Sequence, residues 1–94
     1  MKLYRISQNE TIGYGVFDSA VVAAPNEDYA RNIDPRASWT ANQDNPNIFM
    51  EKDRWEEKYS TWCSKPEFVI VEYLGKAAPN IKEPKIILAS FNAG

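Results

Sequence analysis

The scarcity of cross-linking side chains constrains most strongly how this chain can fold. Its 94 residues include one cysteine and no histidine. A disulfide within the chain needs two cysteines, and a structural zinc site needs about four Cys or His ligands. We therefore expect one small domain over residues 1–94, held together by a single apolar core. The apolar fraction of 44% is typical of a globular protein and allows such a core.

The same counts exclude several kinds of catalytic site. Without histidine, neither a Ser-His-Asp triad nor a Cys-His dyad can be built from this chain alone. Histidine is not available to lower the pKa of the Cys63 thiol and nearby Lys65 is weak support, so we expect a small buried residue rather than a nucleophile. The acids between residues 51 and 57 alternate with Lys and Arg, which is typical of a solvated helix face. We therefore predict no enzyme, no catalytic residue, no metal site and no cofactor.

The charges are unevenly distributed along the chain. The formal net charge is -2, from 11 basic and 13 acidic residues. Residues 6–30 hold four acids and no base, whereas residues 76–94 hold three lysines and one acid. This acidic balance argues against direct nucleic-acid binding. The longest apolar run, Ala20–Pro25, is far shorter than the ~20 residues of a membrane helix, and no signal peptide is evident, so we expect a cytoplasmic protein.

Four segments have the composition of β-strands. They are Lys2–Ser7, Phe17–Ala24, Glu67–Leu74 and Lys85–Phe91. In the first, Tyr4 and Ile6 share one face, as the two-residue period of a strand requires. The second is apolar on both faces, which predicts a central position in the sheet. The third is apolar on both faces except at Glu72, and Gly75 is expected to end it.

Two further segments are predicted to be helical. Asn26 can cap a short helix that ends at Asp34-Pro35, with Tyr29, Ala30 and Ile33 on its inner face. Residues 51–62 carry Trp55, Tyr59 and Trp62 at a helical spacing, and residues 36–47 between the two helices have the composition of a loop. The predicted fold is thus α+β, with the order β-β-α-α-β-β. We expect a mixed sheet covered on one face by two short helices.

Several stretches resemble a family of small, mostly uncharacterised proteins from phages and bacterial prophage regions. The stretches are MKLYRISQ at 1–8, FDSAVVAA at 17–24, EDYAR at 27–31, VEYLGKA at 71–77 and ILASFNAG at 87–94. The resemblance covers nearly the whole chain and is looser over residues 37–48. It implies a protein of a mobile genetic element and brings no assigned chemistry with it. Small acidic phage proteins often bind a host protein, including components of defence systems.

These observations predict a non-enzymatic interaction protein that binds a host protein, such as a nucleic-acid-based defence component, and can inhibit it. The acids of residues 6–30 could occupy a basic surface on that partner, which would make binding sensitive to salt. The residues expected to contact the partner are Glu10, Tyr14, Asp18, Glu27, Asp28 and Trp39. Two alternatives stay open. The chain could self-associate through a strand edge or the Trp39 loop, or it could bind a small molecule or nucleotide with its Asn-rich loop.

Overall fold

A computed structural model shows a four-stranded sheet that carries a short α-helix and two 3₁₀ helices. It describes residues 1–10, 15–40, 48–50, 55 and 62–92, without the side chains of residues 38–40 and 92. The strands are β1 (Lys2–Ser7), β2 (Val16–Ala24), β3 (Ile70–Lys76) and β4 (Lys85–Asn92). The predicted bounds of β1 are confirmed, and those of β2 and β4 each differ by one residue.

The strand order is β3-β1-β2-β4, and every neighbouring pair is antiparallel. The predicted central position of β2 is confirmed, but the predicted mixed sheet is wrong. In a mixed sheet, the segment after β2 would have returned to place β3 beside β2 and parallel to it. The chain after β2 instead passes over β1, and β3 pairs with the far edge of β1. β3 and β4 therefore form the two edges of the sheet.

The two faces of the sheet differ sharply in burial. Tyr4 and Ile6 of β1 pair in register with Val22 and Ala20 of β2, and all four are buried on what we call the inner face. Phe17 of β2 lies on the same face and contacts a Phe of β4. The inner face therefore holds the apolar core, as the two-residue period of the strands dictates.

The helix α1 (Glu27–Arg31) follows β2 and packs on the inner face. Asn26 caps it, since its Oδ1 accepts a hydrogen bond of 2.8 Å from the backbone N–H of Tyr29. Ala30 and, just beyond the helix, Ile33 are fully buried in the core. The predicted cap and inner face are thus confirmed. The helix ends at Arg31, three residues before the Asp34 at which the sequence pattern placed its end.

The predicted two-helix order is wrong, because α1 is the one α-helix among the described residues. Most of the predicted second helix, including Tyr59, lies outside them. Trp55 has a 3₁₀ conformation and Trp62 lies in a bend, and both are buried. Both therefore belong to the core, and neither has an α-helical conformation.

Two 3₁₀ helices flank this region, at Pro35–Thr40 and Pro66–Phe68. The first replaces the beginning of the predicted loop, whose residues 41–47 lie outside the described residues. Proline at the first position of each helix fixes a helical φ and lacks the N–H that such an end leaves unpaired. The second delays the start of β3 from the predicted Glu67 to Ile70. The prediction that Gly75 ends this strand is also wrong. The register of β3 with β1 shifts between Tyr73 and Gly75, and the pairing then continues to Lys76.

Candidate functional site

The face of the sheet opposite the core, which we call the outer face, carries side chains of mixed size and charge. The strand registers place them in three rows that run from β3 through β1 and β2 to β4. The rows are Ile70, Ser7, Ser19 and Ser90; then Glu72, Arg5, Val21 and Leu88; then Gly75, Leu3, Ala23 and Lys85. Large side chains stand on the edge strands β3 and β4 and also on β1, whereas β2 contributes smaller ones.

The outer face exposes large apolar side chains at both of its edges. Ile70 on β3 is 52% exposed and Leu88 on β4 is 67% exposed. Between them, Glu72 and Arg5 lie opposite each other in register, and both are exposed. Exposed apolar side chains beside charged groups are typical of a surface that binds another protein. The sequence did not indicate this face, because it did not show which strands would form the edges.

Two of the predicted partner-contacting acids lie at the end of the sheet where β1 finishes and β2 begins. Glu10 accepts hydrogen bonds from the backbone N–H of Ser64 (2.8 Å) and from its hydroxyl (2.8 and 3.1 Å). This carboxylate therefore ties the end of β1 to the chain before β3. Asp18 is exposed at a bulge in β2, beside Ser19 of the outer face, whose hydroxyl donates a hydrogen bond of 3.4 Å to it.

The other predicted contacts are not brought together with these two. Glu27 and Asp28 are exposed in the first turn of α1, beyond the opposite end of β2, and Glu27 forms an ion pair of 3.1 Å with Arg31. Ser19–Ala24 separate the two pairs of acids by about 20 Å, at about 3.3 Å per residue. Tyr14 lies outside the described residues. Trp39 belongs to the first 3₁₀ helix, but its side chain lies outside the description.

Lysines occupy the end of the sheet that lies opposite Glu10 and Asp18. Lys2 pairs with Lys76, and Lys85 lies beside Ala23 at the same end. All three lysines are exposed. The end of the sheet opposite Glu10 and Asp18 therefore carries three exposed ammonium groups, with the exposed carboxylates of Glu27 and Asp28 just beyond it.

A cleft of about 540 Å³ lies on the side of the molecule away from the outer face. Phe49, Met50 and Trp55 supply much of its apolar wall, and Lys65 and Glu67 bring charges to its rim. Its volume falls in the range of small-ligand sites. The small-molecule alternative was predicted for the Asn-rich loop, whose residues 41–47 lie outside the described residues, so it stays a prediction.

Cys63 is buried, as the sequence predicted, with 1% of its surface exposed. Burial raises the pKa of its thiol to about 11, and the nearby Glu10 carboxylate adds to this effect. A thiol of such high pKa carries very little thiolate at neutral pH, and thiolate is the nucleophilic form. The environment of Cys63 therefore disfavours nucleophilic chemistry.

The described residues contain no group of three or more Cys, Asp or Glu side chains placed to hold a metal ion. In the same part of the chain, no helix has the length and apolar character needed to cross a membrane. Comparison with protein-family models, with curated proteins and with solved structures finds no match to this chain.

Proposed function

We propose that this chain is a non-enzymatic, cytoplasmic interaction protein of phage or prophage type that binds a host protein through the outer face of its sheet. The observation that carries the proposal is the exposure of the large apolar side chains of Ile70 and Leu88 at the two edges of the outer face. The phage setting is part of the proposal and rests on the resemblance of the five stretches named above.

The outer face carries charges of both signs, since Arg5 and Lys85 are exposed on it, and the proposed partner contacts are the carboxylates. Asp18 and Glu72 are both exposed, the first at the bulge beside the outer face and the second within it. A partner that offers an apolar surface to Ile70 and Leu88 would bring basic side chains toward these carboxylates. A basic nucleic-acid-binding surface on a host defence protein has this chemistry, and occupying it would inhibit that protein.

A pair of matched charge reversals tests the proposal. The tagged chain is used to retain proteins from host lysate, alongside the variants Asp18→Lys/Glu72→Lys and Glu27→Lys/Asp28→Lys. Both variants raise the net charge by the same amount, but only the first alters the outer face and its margin. We expect the first variant to lose the retained protein and the second to keep it. The wild-type complex should weaken as salt is raised, since the contacts between charges are screened.

Two results would contradict the proposal. One is that the wild-type chain retains no host protein. The other is that reversal of Glu27 and Asp28, rather than of Asp18 and Glu72, abolishes retention. The second result would support the prediction made from the sequence for the acids of α1. Circular dichroism of both variants establishes that they fold before the comparison is made.

A further inference from the structure

We propose that the edge strand β4 binds the β4 strand of a second copy of this chain, antiparallel and centred on Ser90, to form a continuous eight-stranded sheet. An edge strand presents a row of backbone N–H and C=O groups that can pair with another chain. Proteins usually protect such edges with charged residues, proline, bulges or a covering element. The two edges of this sheet differ in how far they are protected.

The β3 edge carries several of these protective features. Its register with β1 is broken between Tyr73 and Gly75, and Gly75 has a φ of 141°. Glu72 lies inside its regular part and Lys76 ends it. A regular run of only four residues, Ile70–Tyr73, remains, and one of the four is charged. Pairing with a second copy along β3 would therefore be short and would place a charged side chain beside the new pair of strands.

The β4 edge has fewer of these features over residues 88–92. They contain neither a charge nor a proline, and among the described residues no strand pairs with β4 on the side away from β2, although the first 3₁₀ helix contacts this strand. The extra residue of β4, Ile87, lies close to Lys85, whereas the register shift between Ser90 and Phe91 comes from the extra residue Asp18 on β2. Both Leu88 and Ser90 are exposed.

This segment is complementary to itself. A two-fold axis through Ser90, perpendicular to the sheet, keeps the outer faces of both copies on the same side. Ser90 then lies opposite its own copy, and the large Phe91 lies opposite the small Ala89 on each side of the axis. The Leu88 side chains lie opposite Asn92. The two Lys85 residues end about 30 Å apart along the strands, at about 3.3 Å per residue, so no like charges oppose each other.

These features favour a second copy over an unrelated strand as the occupant. When the same strand of two copies pairs, no second complementary sequence is needed. The residue on the two-fold axis faces its own copy, so a small side chain is favoured there. Ser90 is at the centre of the regular uncharged run and meets this requirement. Because five residues pair on each side, the interface is small and dimerisation should depend on concentration.

Sedimentation equilibrium of the purified chain tests self-association directly. We expect the mass to rise from the 10.7 kDa of one chain toward twice that value as concentration increases. Ser90→Lys should keep the mass of one chain, whereas Ile70→Lys on the opposite edge should behave like the wild type. A wild-type chain that stays monomeric at all concentrations, or a loss of dimer in Ile70→Lys alone, would overturn the proposal.

Disulfide trapping tests the register. Residues opposite each other across antiparallel strands have Cβ atoms about 4.5–5.5 Å apart, close enough for a disulfide with slight adjustment. Ser90→Cys should give a covalent dimer under mild oxidation. Leu88→Cys and Ile70→Cys should not, because two copies of residue 88 would lie about 13 Å apart along the strands.

The wild type serves as the control for covalent dimer formation, since its only cysteine, Cys63, is buried. Trapping at position 88 or 70 instead of 90 would refute the Ser90-centred pairing. Both tests use the purified chain without any host protein, so their outcome is independent of the host-binding proposal.

Discussion

The buried ion pair between Asp34 and Arg36 should be among the most sensitive points of the fold. Their side chains are 5% and 8% exposed. Asp34 Oδ1 accepts hydrogen bonds from the backbone N–H of Arg36 (2.9 Å) and from its Nε (3.0 Å), so one carboxylate both caps the first 3₁₀ helix and neutralises the guanidinium. Arg36 Nη2 also lies 3.4 Å from the sulfur of Met50.

Replacing Asp34 with alanine removes the carboxylate that accepts both of these hydrogen bonds from Arg36. Breaking a buried ion pair from one side typically costs about 3–5 kcal/mol. A domain of this size has a free energy of unfolding of roughly 5–14 kcal/mol, so Asp34→Ala should remove about a fifth of it or more. With a urea m-value of about 1–2 kcal/mol/M, the midpoint should fall by about 1.5 M or more. Tryptophan fluorescence follows the transition, since Trp55 and Trp62 are buried.

Two comparisons make this prediction refutable. Asp18→Ala removes an exposed aspartate and should change the free energy of unfolding by less than about 0.5 kcal/mol. In Asp34→Ala/Arg36→Met, the buried charge is removed together with its partner, so the double variant should be more stable than Asp34→Ala. A loss below about 1 kcal/mol for Asp34→Ala, or strict additivity in the double variant, would show that the pair does not act as described.

Three further predictions follow from single contacts. Arg31→Ala should cost about 2 kcal/mol in urea unfolding, because its Nη1 donates to the carbonyls of Val69 (2.6 Å) and Pro66 (3.3 Å), whereas Glu27→Gln should cost under about 0.5 kcal/mol. Similar costs for the two variants would contradict this. Gly75→Ala should destabilise the chain by about 1 kcal/mol or more, since its φ of 141° strains any L side chain; an unchanged midpoint would contradict this. Because the pKa of Cys63 is raised from 9.0 to about 11, the unfolded thiol ionises first, so stability should fall between pH 9 and 11. Cys63→Ala should flatten this part of the pH profile, and an equal slope in both proteins would refute the assignment.

The parts of the fold that could be predicted are those fixed by neighbouring residues. The alternation of Tyr4 and Ile6 defines β1, and Asn26 followed by two acids defines the start of α1; the structure confirms both. The parts that failed depend on contacts between distant residues. The spacing of Trp55 and Trp62 fits a helix, but the described structure buries both outside an α-helix. The mixed sheet failed because local sequence does not determine which strand a later strand will join.

The candidate site was the least predictable part, because the position of an acidic residue in the sequence does not show which surface of the fold it will join. The sequence grouped Glu10, Asp18, Glu27 and Asp28 because they are close along the chain. β2 then separates them, since an extended strand carries its two ends about 20 Å apart. One of the four, Glu10, is already bonded within the fold. Proximity in sequence therefore predicted a surface that the strand geometry divides.

The position of β3 gives a physical reason to test the edges of this sheet. Its run from Phe68 to Leu74 is apolar on both faces except at Glu72, a composition typical of a central strand. The structure places it at an edge instead, with Ile70, Tyr73 and Leu74 all about half exposed. β4 is also an edge strand and also exposes large apolar side chains, Ile87 and Leu88. Leaving such side chains in water forgoes about 25 cal/mol for each Å² that a partner could bury. Binding over the outer face and at the β4 edge would recover that free energy at Ile70 and Leu88, while the bulge and charges of β3 would keep its own edge from pairing.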